Sequence, residues 1–224
     1  RLTHLPAASD EVFGAAASFY DRLDGVRDLL VAPSSTIRMV LTPERVVVAE
    51  SRRTYAYLSL FGYRVDAVIA NRLLPDEVTD PWFDRWRADQ QATMADLERD
   101  LAPVPVLRAA LAAEEVRGIE LLRAFASGLY RTKDPTAVLH EGASMRFDID
   151  GDRAGMSLHI PLVERSSIDL RRSTDELIVT VGQYRRVVAL PDSLRHRDVA
   201  SARFRGEHLD VEFASVGSGR SSRS

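Results

Sequence analysis

Ile37-Arg38-Met39-Val40-Leu41-Thr42-Pro43-Glu44 is the stretch from which the fold is read. Five β-compatible residues run straight into a helix-start signal: Thr42 as N-cap, Pro43 at the first helical position, and Glu44 near the positive helix end. A helix is expected from there to about Phe61, closed by Gly62. Val65 to Ala70 is apolar and β-branched enough for a second strand, with Asp66 as the odd residue, and Asn71-Arg72-Leu73-Leu74-Pro75 leaves it.

Outward from this pair the alternation continues. Residues 10–31 place Val12, Phe13, Ala16, Phe19, Tyr20, Leu23, Val26 and Leu30 at helical steps. Asp80-Pro81 starts a helix that runs to about Leu101. Val104-Pro105-Val106-Leu107 is a short extended piece, and Val116 to Tyr130 a last helix. Strand and helix in turn with short links imply parallel α/β layers.

The period changes near residue 140. Met145, Phe147 and Ile149 alternate with Arg146, Asp148 and Asp150, and Met156, Leu158 and Ile160 with Ser157 and His159. Leu177–Val181, Tyr184–Leu190, Ala200–Phe204 and Leu209–Phe213 complete six expected strands of an antiparallel sandwich. The expected organisation is therefore an α/β part over 1–134, a linker over 135–142, a sandwich over 143–213 and a disordered Ser/Gly/Arg-rich tail over 214–224.

Composition narrows the function. The chain has 224 residues, 45% hydrophobic and 28% charged, with a net charge of −3. A basic excess for nucleic acid is absent. No apolar run is long enough for a membrane span, and Arg1-Leu2-Thr3-His4 lacks the start of a signal peptide. Zero cysteines remove disulfides, thiolate nucleophiles and thiolate metal sites, which agrees with a cytoplasmic location. Lys133 is the only lysine, and Arg131-Thr132-Lys133-Asp134-Pro135 is no P-loop. No residue is expected to be catalytic, and this stretch alone should not hydrolyse ATP. Because it starts at Arg1 rather than Met, it is expected to be a portion of a longer protein or a processed form.

Single residues offer little more. His4, His140, His159, His196 and His208 lack ligand spacing and read as surface or structural. Asp148, Asp150 and Asp152 around Gly151 read as a hairpin turn, since a calcium loop begun at Asp148 would need Glu where His159 stands. No metal site is expected. Trp82 and Trp86, one helical turn apart, read as a core or interface face rather than a base-stacking platform. Glu114-Glu115 precedes a helix and either caps it or meets a nucleotide; Arg52-Arg53 reads as a solvated or ion-paired face.

The order of the pieces resembles the C-terminal half of the ArsA-type P-loop ATPases, the deviant-Walker family that includes the arsenite-efflux pump subunit and the ATPase targeting tail-anchored membrane proteins. Thr42-Pro43-Glu44 with its helix, Val68-Ile69-Ala70-Asn71-Arg72-Leu73-Leu74-Pro75, and Glu115-Val116-Arg117-Gly118 each resemble family segments. Residues 143–213, with Asp175-Glu176-Leu177 and Gly182-Gln183-Tyr184-Arg185-Arg186, resemble the α-crystallin-like domain of many bacterial members. The resemblance implies a fold of two parts: an incomplete P-loop NTPase-like α/β half, then an all-β α-crystallin-like sandwich.

It also implies a nucleotide site. Asn71 would read adenine, because its amide offers both a donor and an acceptor. Arg72 stands beside it, the segment from Arg108 to Gly118 with Leu111 packs on the base, and Glu115 closes that loop. ATP and Mg²⁺ are implied for the full-length protein, whose Walker A loop, switch aspartates and magnesium ligands precede this region in the family. A homodimer and a membrane-transporter or client partner come with the same resemblance. The family often has Pro-Leu where Ala110-Leu111 stands. The Cys-x-x-Cys clasp of the tail-anchored targeting members is absent, as are soft thiolate ligands for arsenite. The rival expectation is a non-catalytic, chaperone-like interaction module that has lost nucleotide hydrolysis.

Overall fold

The computed structural model describes residues 10–151 and 153–215. Positions 1–9, most of the expected tail and Asp152 lie outside the described residues. The helix α1 (Asp10–Val31) follows the expected spacing and forms a unit of its own together with the residues up to Thr36. The described residues from Ile37 onward cluster as a second unit.

That second unit starts with the strand β1 (Ile37–Leu41), the helix α2 (Arg45–Phe61) and the strand β2 (Val65–Leu73). A 3-10 turn (Pro81–Phe83) leads into α3 (Asp84–Leu101), followed by β3 (Val106–Ala110) and α4 (Gly118–Tyr130). The three strands form a parallel sheet in the order β1-β2-β3. Parallel strands need crossover helices, and α2 and α3 are those crossovers. Their apolar faces (Val48 and Tyr55; Met94, Leu97 and Leu101) close a core with Leu41, Val65, Val68 and Ala70. The segment Val104–Leu107, expected as an extended piece, thus becomes a sheet strand shifted toward Ala110.

Two helix starts differ from expectation. The N-cap of α2 is Glu44, with extended backbone and no side-chain cap bond, while Thr42 contributes only its carbonyl, which accepts from Glu44 N at 2.8 Å. Helix α4 begins at Gly118 after Arg117, so Glu114 and Glu115 do not cap it. Asp80 does cap the turn before α3: its Oδ1 accepts from Trp82 N at 2.9 Å. Trp82 and Trp86 lie outside the core, 70% and 54% exposed, with the Trp82 ring edge-on to Phe83.

The remaining strands are β4 (Met145–Asp150), β5 (Arg153–His159), β6 (Ile168–Arg172), β7 (Glu176–Val181), β8 (Tyr184–Ala189), β9 (Arg197–Arg205) and β10 (His208–Ser215), with a short helix α5 (Asp192–Arg195) before β9. They form two antiparallel sheets, β4-β5-β10-β9 and β6-β7-β8. Inward residues alternate along each strand, and Met156, Leu158, Ile160, Leu177, Val179, Leu209 and Val211 make a common core. Strand β6 is the seventh, absent from the sequence reading. Ile168 and Leu170, its alternating apolar pair, are only half-buried, and Arg171-Arg172 end it. The Asp150–Arg153 register confirms the hairpin expected around Gly151, and β10 carries order through Ser215, inside the stretch expected as tail.

Helix α2 also serves the sandwich. Leu60 is fully buried in the sandwich core rather than in the α/β core, a burial worth about 1.5–3 kcal/mol. Arg186 of β8 donates through Nη1 to the Leu60 carbonyl, at the negative end of the helix. Tyr57 and Tyr184 rings meet at 3.8 Å.

Candidate functional site

Ligands of open parallel α/β sheets bind beyond the carboxyl ends of the strands, and here that edge carries an irregularity. Ala70 pairs with Arg108 and Leu73 with Ala110, so Asn71 and Arg72 together oppose one residue of β3. This is a β-bulge, a device that re-aims side chains. Arg72 sits at φ 62°, a left-handed conformation unusual for a non-glycine residue. The Asn71 side chain supports it: Asn71 Oδ1 accepts from Arg72 N at 2.9 Å. Asn71 was expected just past the strand; the strand instead continues to Leu73, with Asn71 inside the bulge.

Further contacts fix this edge. Leu111 N donates to Leu73 O at 2.8 Å, which ties the start of the β3–α4 loop to the end of β2. Leu111 is 41% exposed beside the bulge. Leu74 N donates to Gln90 Oε1 of α3 at 2.9 Å. Arg87 of the same helix donates to Pro75 O at 3.3 Å and to Val78 O, and pairs with Asp76 at 3.6 Å. Helix α3 therefore clamps the loop that follows the bulge.

Of the four expected site residues, the structure brings Asn71, Arg72 and Leu111 to one sheet edge. Glu115 lies on the exposed loop before α4 and pairs with Arg117 at 2.5 Å. Gln90 and Arg87 were not singled out by the sequence reading. Their three-residue spacing puts them on one helix face, but nothing in the sequence names the carbonyls and amide they meet. Arg52 pairs with Asp100 of α3 and Arg53 with Glu50 at 2.5 Å, an ion-paired face as expected.

The Asn71 amide keeps free hydrogen-bonding capacity at this edge. One carbonyl lone pair holds the Arg72 amide, and the second lone pair and the NH₂ group remain. Among the described residues no group of three or more His, Asp or Glu side chains could hold a metal ion, and no helix is long and apolar enough to cross a membrane.

The sequence matches two family models, in the same order as the parallel sheet and the sandwich. Residues 3–131 match the ArsA anion-transporting ATPase, and residues 151–213 match the HSP20-like domain found in ArsA. The chain belongs to the ArsA anion-transporting ATPase family. It is 33% identical over 214 residues to a protein of Aquifex aeolicus (strain VF5) named "Putative arsenical pump-driving ATPase 1", covering 93% of this chain and 54% of that one. It is 30% identical to a like-named protein of Prosthecochloris vibrioformis, covering 87% and 48%. The chain spans about half the length of these curated relatives. Among solved structures, HSP18.5 from E. histolytica is similar to 36% of this chain over 93% of its own length, at 17% identity and a TM-score of 0.28.

Proposed function

We propose that this chain supplies the adenine side of an ATP site in an ArsA-like ATPase, and that its sandwich is an interaction domain of the same protein. The observation that carries the reading is the β2 bulge, which sets Asn71 at the carboxyl edge of the parallel sheet with Leu111 beside it. In this reading the Asn71 carbonyl accepts from the exocyclic amine of adenine and its NH₂ donates to a ring nitrogen. Leu111 packs on the base, Arg72 lies at its rim, and Glu115 with Arg117 closes the loop. Gln90 and Arg87 hold the Leu74–Val78 backbone so that the bulge keeps its place.

ATP with Mg²⁺ supplies the driving reaction of the full-length protein, and no residue of this chain is assigned to the metal. The work done is ATP-driven anion transport or client targeting in the cytoplasm, with a homodimer and a membrane transporter or client protein as partners. The test is photo-crosslinking of the full-length protein with 2-azido-ATP, followed by peptide mapping. Label in residues 71–75 and 108–118, removed by excess ATP, is the expected result. Label confined to peptides outside this region would refute the reading.

A further inference from the structure

Helix α2 belongs to two cores at once. Val48 and Tyr55 pack against the parallel sheet, whereas Leu60 is buried among the sandwich residues. The sandwich grips this end of the helix: buried Arg186 of β8 donates to the Leu60 carbonyl, and the Tyr184 ring lies 3.8 Å from that of Tyr57. The other end of α2 follows β1 after only Thr42-Pro43-Glu44, at the carboxyl edge of the sheet that also carries Asn71.

Helix α3 carries the connection onward. Arg52 of α2 donates through Nη2 to Asp100, in the last turn of α3. Ten residues earlier on that helix, about 15 Å away, Gln90 holds Leu74 N, and Arg87 holds the carbonyls of Pro75 and Val78. These backbone groups directly follow the bulge. An unbroken series of contacts therefore runs from Arg186 through Leu60, Arg52, Asp100 and Gln90 to Leu74.

The joint between the two helices is built to pivot. Arg52 meets Asp100 through one nitrogen only; its Nε is buried and has no hydrogen-bond partner among the described residues. The pair lacks the second prong that fixes a guanidinium on a carboxylate. Asp100 is also shared with Arg99, whose Nε lies 3.3 Å away. Beside the pair is a cavity of about 550 Å³, walled by Arg52, Tyr57 and Asp100 on the helix side and by Leu162, Val163 and Gly182 on the sandwich side. The joint thus has open space rather than packed side chains between it and the sandwich loop. Leu162 stands in that loop at φ 60°, a left-handed conformation, and strain of this kind collects at segments that switch.

We infer that the sandwich sets the position of the Asn71 edge, with Arg52 and Asp100 as positioning residues that pass a shift of α2 on to α3. The regulatory meaning rests on the adenine reading of that edge: a partner bound to the sandwich alters ATP affinity, and ATP alters the affinity for that partner by the same factor. Arg52 and Asp100 touch no nucleotide in this scheme. They act through Gln90 and Arg87, which hold the backbone after the bulge.

The test follows the full-length protein by hydrogen exchange and mass spectrometry, without nucleotide. Peptides covering 71–78 should exchange about three-fold faster in Arg52→Gln and in Asp100→Asn. The same acceleration is expected in Tyr184→Leu, which loosens the hold of the sandwich on Tyr57 from outside the α/β part. If that variant loses its cooperative melt, Tyr57→Leu makes the comparison from the helix side. The exchanged pair Arg52→Asp, Asp100→Arg should restore the slow rate, a recovery that lost packing alone would not give. Unchanged exchange at 71–78, acceleration spread evenly over the protein, or no recovery in the exchanged pair would each overturn the inference. Because the readout needs no nucleotide, its failure is distinct from failure of the adenine reading, which the 2-azido-ATP label decides.

Discussion

Arg38 and Asp66, on the neighbouring parallel strands β1 and β2, form a two-pronged ion pair. Arg38 Nη2 lies 3.2 Å from Asp66 Oδ2, and Nε lies 3.3 Å from Oδ1. Asp66 is fully buried and also accepts from Leu139 N at 3.1 Å. Arg38 continues to Pro135 O at 2.6 Å, Ala137 O at 2.7 Å and Tyr130 Oη at 3.2 Å. The Asp66 hydrogen bond holds the Arg38 guanidinium above its ordinary pKa. One carboxylate therefore fastens the 135–139 segment to the parallel sheet, in the stretch the sequence reads as a linker.

Asp66→Ala should strip the buried partner from Arg38 and release the Leu139 amide. A loss of about 2–4 kcal/mol is expected, read by urea denaturation. Asp66→Asn, which keeps the acceptor but not the charge, should lose less. Equal losses would mean that shape alone matters at this position.

Gly62 ends α2 at φ 92°, and its N–H and that of Tyr63 close the helix onto Ser59 O and Leu58 O. A Cβ here would also meet Arg186 Nη2 at 3.1 Å. Gly62→Ala should cost about 1–2 kcal/mol from the left-handed backbone alone, and more from the displaced Arg186. Thermal melts of Gly62→Ala and Arg186→Met, singly and combined, should show non-additive losses. Additive losses would mean that the helix end and Arg186 act separately.

Burial of His159 against α2 pushes its pKa below the usual histidine value, with Glu207 opposing the shift and His208 and His140 adding to it. The unfolded chain therefore takes up this proton first as pH falls. His159 thus contributes full stability above about pH 6.5 and loses it as pH drops from there toward its folded pKa. The fall in melting temperature from pH 7.5 to 5.5, in phosphate-free buffer, should be smaller in His159→Gln than in the unaltered chain. An equal fall would place the acid sensitivity elsewhere.

The strand–helix alternation, the Gly62 stop, the Asp80 cap and six sandwich strands were legible because each rests on local signals: periodicity, a φ > 0 position, a capping side chain. Asp66 stood out in the sequence as a charge in an apolar strand, but its partner is 28 positions away on a neighbouring strand. Long-range pairs of this kind have no local signature. The same holds for His159 and His208, unremarkable by spacing and brought together only by the β5–β10 register. Strand β6 escaped because two half-buried residues make a weak alternation. At the sheet edge, Asn71 was visible through the family resemblance, whereas the bulge that aims it depends on β3 pairing, and the clamps from Gln90 and Arg87 depend on how α3 lies against the loop.

The proposed role of Asn71, reading adenine from the β2 bulge, decides between a nucleotide contact and a purely structural residue. The most direct measurement is the ratio of ATP to GTP affinity in the full-length protein, for the unaltered form and for Asn71→Ala, with melting temperature alongside. ATP binding should weaken by about 1–3 kcal/mol, the usual cost of an unpaired polar group, and the preference for ATP over GTP should collapse. A lowered melting temperature with an unchanged ATP-to-GTP ratio would contradict it, leaving Asn71 as no more than the support of the Arg72 backbone.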